Sequence, residues 1–98
     1  MVAVSLEMEE ADDETPFMAL LRICGSSPWL AHHPDLAPAL VRKDLAGILS
    51  HLRQQRQWFS NLRSDVRDRL DLRKARSIQH AREACAALSR YEERLRFA

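Results

Sequence analysis

Between Ile48 and Ala98 the chain contains neither glycine nor proline. Leucine, isoleucine, valine and phenylalanine recur there at helical spacing among arginines, so the segment must be helical. Two apolar stripes run through the second half of the chain. Val41, Leu45, Ile48, Leu49, Leu52 and Phe59 follow the i, i+3, i+4, i+7 pattern, and Val66, Leu70, Ile78, Ala81, Cys85, Leu88, Tyr91 and Leu95 form a second such row. Gln55, Arg56, Arg63 and Arg67 interrupt the apolar face between them.

The expected fold is all-α. Its core is a helical hairpin with arms at 36–59 and 64–96, turning around Ser60 to Ser64, where Asn61 can adopt a left-handed conformation and Ser64 can cap. The alternative is one long helix over 36–96, a rod about 90 Å long at 1.5 Å per residue. The hairpin is preferred, because a lone rod leaves its whole stripe in water unless it dimerises. Gly47 costs about 1 kcal/mol of helix propensity and suggests a close helix crossing.

Upstream, Thr15 followed by Pro16 is a helix start, and Phe17, Leu20, Leu21 and Cys24 share one face before Gly25 supplies a stop. A helix over 16–24 is too short to persist alone and must dock. It would close the open end of the hairpin, giving a small three-helix bundle. SSPWLAHHP reads as a loop, with Trp29 as a plug over the core. Asp35 reads as the cap of the next helix, with Pro38 in its first turn. Residues 1–14 carry five acids between Glu9 and Glu14, so an acidic mobile tail is expected ahead of a single helical domain over 15–98. Val2, Val4, Leu6 and Met8 also alternate, as a strand added to a partner's sheet would.

Charge is unevenly distributed. Residues 1–40 hold seven acids against Arg22 alone, whereas the remainder holds fourteen bases against seven acids. No basic and apolar leader is visible, and no run approaches the roughly 20 apolar residues of a membrane span. A cytoplasmic protein is therefore expected, with Cys24 and Cys85 as reduced thiols.

Chemistry is sparse. His32, His33, Asp35 and Cys24 are the only metal-like group, and adjacent loop histidines project apart, so no metal and no cofactor are expected. His51 and His80 read as surface groups. No phosphate loop, nucleophile elbow or zinc-protease motif occurs, and two glycines in the whole chain leave little with which to build a catalytic loop. The expectation is therefore no enzyme.

What the pattern suggests is a non-enzymatic protein–protein interaction module. It would be an adaptor or a chaperone-like assembly subunit, docking amphipathic helices on a protein partner or on a second copy. The expected partner-binding residues are Leu45, Leu52, Phe59, Val66 and Leu70 for apolar contact, with Arg56, Arg63 and Arg67 for polar contact. The alternative is nucleic-acid binding through 51–76, which has eight bases against three acids with Trp58 and Phe59 interleaved. Arg69 four residues after Asp65, and Lys74 three after Asp71, weaken it by neutralising charge within the helix.

Overall fold

The computed structural model describes residues 14–69 and 72–97. They form six helices: α1 (Pro16–Gly25), α2 (Pro28–Ala31), α3 (Ala37–Arg42), α4 (Leu45–Asn61), α5 (Ser64–Arg69) and α6 (Ala75–Arg96). The all-α class holds, and no strand occurs among the described residues. Overall extents of 53 × 25 × 22 Å are far short of the single rod, which is thereby excluded. The expected tail over 1–13 lies outside the described residues. Glu14 is anchored, since both its carboxylate oxygens accept hydrogen bonds from Arg22, at 2.9 and 3.0 Å.

Each expected arm is broken once. In the first, Lys43 adopts a left-handed conformation with φ 56°, which ends α3. Asp44 then restarts the chain, its Oδ1 accepting the Gly47 amide at 3.1 Å as an N-cap does. Gly47 serves this cap rather than a helix crossing, because a Cβ there would lie 2.5 Å from Asp44 Oδ2. In the second arm, α5 stops at Arg69 and α6 begins only at Ala75. The turn between α4 and α5 is made by Leu62 in an extended conformation, with no left-handed Asn61.

The start of α1 is as expected: Thr15 Oγ1 accepts the Met18 amide at 3.1 Å, and Pro16 follows the cap. Its end is different. Gly25 has no positive φ; Ser27 is extended ahead of Pro28, and a residue before proline is driven out of helical conformation. Pro28 opens the single turn α2, which buries Leu30 and leaves Trp29 41% exposed. Leu30 therefore plugs the core where Trp29 was expected to. Leu36, fully buried, stands at the α3 cap position in place of Asp35.

The core gathers on α6, whose buried face is Ile78, His80, Ala81, Ala84, Ala87, Leu88 and Tyr91. Leu20, Ile23 and Cys24 from α1, Leu30, Leu36, and Ile48 and Leu52 from α4 pack into the same cluster. α1 runs opposite to α6, with Arg94 donating to the Glu14 carbonyl at one end and the Trp29 carbonyl meeting His80 at the other. Arg56 of α4 is tied to Glu92 of α6 at 2.9 Å. Cys24 and Cys85 are free thiols, and burial pushes Cys24 up to about 11.

Lys43→Gly removes the cost of a left-handed side chain and should raise unfolding free energy by up to about 1 kcal/mol. Asp44→Ala should lower it by about 1 kcal/mol. Denaturant titration of both variants checks the break between α3 and α4, and matched effects of the opposite signs would overturn it. Leu52→Ala should cost about 2–5 kcal/mol in the same experiment, as a core residue does and a docking residue does not.

Candidate functional site

Three histidines far apart in sequence converge beside the core. His51 immediately precedes Leu52 on α4, and His80 lies between Ile78 and Ala81 on α6, so each flanks a buried stripe and is carried inward with it. His33 follows α2, in the short connection that Pro34 and Leu36 lead into α3. His80 is only 3% exposed. This corrects the expectation that His51 and His80 are surface groups and that the metal-like residues are confined to the loop.

The hydrogen bonds fix which nitrogens carry protons. A carbonyl oxygen can only accept, so His80 Nδ1 donates to Trp29 O at 2.9 Å. In a neutral ring that leaves Nε2 with a lone pair. His80 Nε2 therefore accepts from His51 Nε2–H across 2.8 Å, and His51 keeps its lone pair on Nδ1. His33 stacks on His80 with ring centroids 3.8 Å apart and planes 19° from parallel, while its Nδ1 accepts the Asp35 amide at 3.2 Å.

His51 and His80 are uncharged at neutral pH for a physical reason. Burial disfavours the imidazolium, and neighbouring His80 and His33 add to the penalty, so His51 is lowered from 6.5 to about 4 despite the opposing pull of Asp35. His80 is also lowered, chiefly by burial, against the opposing Trp29 carbonyl and Asp35. A cleft of about 470 Å³, lined by His33, Asp35, Gln54, Gln55, Trp58, Ser77 and His80, opens beside the rings.

The residues expected to bind a partner are scattered by the fold. Leu52 is fully buried and belongs to the chain's own core. Leu45 is half-buried beside a shallow groove on α4 shared with Leu49 and Arg53. Phe59 and Val66 are half-buried. Arg67 lies over the Phe59 ring at 5.3 Å, Arg56 is paired with Glu92, and Arg63 approaches Asp65 at 3.5 Å. Leu70 lies outside the described residues.

A different apolar surface sits where α1 begins and α6 ends. Met18 is 56% exposed, Leu95 51% and Phe97 85%. Phe97 borders a groove of about 470 Å³ lined also by Ala19, Arg22, Ile23, Arg90, Glu93 and Arg94. Comparison with protein-family models, curated proteins and solved structures finds no match for this chain. No helix among the described residues is long and apolar enough to cross a membrane.

The folded-state values of both helical histidines lie below the ordinary 6.5, so the unfolded chain takes up protons first as pH falls. Stability is therefore full above about pH 6.5 and declines as pH drops toward about 4. Melting temperature in metal-free buffer should fall across that window in the native sequence. It should fall less in His51→Gln, whose amide can still donate to His80; an identical pH profile in the two proteins would overturn the assignment.

Proposed function

We propose that this chain is a non-enzymatic interaction module that docks on a protein partner through the end where α1 begins and α6 finishes. The observation that carries the reading is the exposure of Phe97 on the border of one groove, with Met18 and Leu95 exposed on the same helix ends, in a protein whose core is closed by other residues. Single exposed apolar side chains are ordinary; several at one end of a fold, one of them bordering a groove, are the pattern of a binding surface.

The groove also suggests the partner's chemistry. Arg22, Arg90 and Arg94 border it against Glu93, and Glu14 offsets only part of that charge through its contact with Arg22. An amphipathic helix with an apolar face and acidic flanks would fill the groove and meet the basic rim. This moves the proposed contact away from the α4 and α5 positions expected from the sequence. Of those, Leu45 with its neighbour Leu49 remains the best placed to add a second contact.

Arginines engaged within the chain argue for protein over nucleic acid. Arg56 with Glu92, Arg63 and Arg69 with Asp65, and Arg67 over Phe59 each have an internal counterpart, and arginines held by such contacts are less free to meet phosphate.

Leu95→Asp combined with Phe97→Asp should leave helicity intact and weaken partner binding by roughly tenfold or more, since buried apolar anchors dominate interface energy. Leu45→Asp should have a smaller effect. Co-purification from the native source, comparing native and doubly substituted protein, reads the loss; sedimentation at micromolar concentration reports whether the partner is a second copy. A monomer whose associated proteins are the same in both forms would overturn the reading.

A further inference from the structure

We propose that His33, His51 and His80 form a binding site for a divalent late transition metal, Zn²⁺ by chemistry, which ties the connection after α2 to α4 and α6. Each ring offers one ligand nitrogen, and these three atoms lie within 4.8 Å of one another. Nitrogens 2.0–2.1 Å from a tetrahedral zinc are about 3.3 Å apart. The His51 and His80 nitrogens, now 2.8 Å apart, need separate by only about 0.5 Å, and no pair need close by more than about 1.5 Å.

The ligands are prepared to different degrees. His80 already has the right tautomer: its Nδ1–H is fixed by the Trp29 carbonyl, as by outer-shell carbonyls in metal sites, and its Nε2 lone pair, which now accepts from His51, faces the cluster. His51 needs only to move its proton from Nε2 to Nδ1, so it remains neutral and no net proton is released. His33 gives up one long hydrogen bond from the Asp35 amide, 3.2 Å at an exposed position, and tilts out of its stack on His80. It sits in a connection rather than a helix, which makes it the ring best able to do so.

Donor type selects the ion. Three neutral imidazoles suit zinc and its neighbours, whereas calcium and magnesium require oxygen ligands. The fourth position faces the cleft that Asp35 also lines, where that carboxylate or water would complete a tetrahedron. Cys24 takes no part: it is buried in the hydrophobic core with Leu20 and Leu88.

Chelator-stripped full-length protein titrated calorimetrically with zinc chloride should bind one ion per chain and gain melting temperature. Cobalt(II) in its place should give the intense visible absorption of a tetrahedral site. His33→Gln and His51→Gln should each weaken binding at least about 100-fold, since changes in outer-shell partners alone cost about 10–100-fold. His32→Gln, altering the exposed neighbouring ring, should leave binding unchanged. Ring-nitrogen NMR of the native sequence provides a reading that needs no variant: zinc must shift His33, His51 and His80 together. Absence of one-to-one binding, shifts confined to His32, or affinity unaltered in both ligand variants would overturn the proposal.

Discussion

Ala81, Ala84 and Ala87 present only methyl groups along the buried face of α6, and that smallness lets other elements approach its backbone closely. Larger side chains reach in from the neighbours instead: Leu20 and Ile23 from α1, Leu30 from α2, Ile48 and Leu52 from α4. Burying each such side chain contributes about 1.5–3 kcal/mol, and in a chain this small most of the stability must come from these few groups. The short helices have no independent existence. α1, α2 and α3 have ten, four and six residues, lengths that are marginal in water, and they hold their shape because α6 and α4 give them something to cover.

A core organised on one helix also draws in polar groups that flank its buried stripe. His80 cannot avoid burial once Ile78 and Ala81 are inside, and its polar atoms must then be satisfied within the protein. The Trp29 carbonyl and His51 supply the two partners. This has a consequence for α2: Trp29 contributes through its backbone, while its ring remains partly exposed. The same burial that keeps His51 and His80 uncharged leaves the His51 Nε2–H pointing at the His80 Nε2 lone pair, and a tautomer shift in His51 would turn that hydrogen bond into a pair of nitrogen donors.

Arginine is distributed by a different logic. Those of the α4 to α5 region largely meet acids or a ring of the same chain, and the pairs are solvent-exposed, each stabilising by at most about 1 kcal/mol. A charge already engaged in this way is less available to phosphate or to another carboxylate. The basic groups beside Phe97 border apolar surface instead, which is the arrangement on which the proposed docking rests.

The helical class, the cap at Thr15 and Pro16, and the buried Ile48, Leu52, Ile78, Ala81, Leu88 and Tyr91 were legible from residue spacing, because periodicity and capping depend on neighbours three and four positions away. Val41 and Leu95, expected on the same stripes, are exposed because those stripes run past the ends of the core. Phe17, Leu20 and Leu21 could be assigned as cover for the same reason. The breaks at Lys43 and after Arg69 were not legible. A left-handed lysine followed by a capping aspartate reads, residue by residue, as a tolerable stretch of helix, and only the need to fold α3 back beside α1 and α2 selects the break. The three-histidine cluster was out of reach for a stronger reason. Position 33 meets 51 and 80 through packing between separate elements, and no local pattern records which flank of one helix will face which flank of another. Sequence alone determined that the chain is helical and most of the stripe each long helix would bury; tertiary structure decided where those stripes end and which polar residues were carried inside with them, because that depends on how whole helices meet.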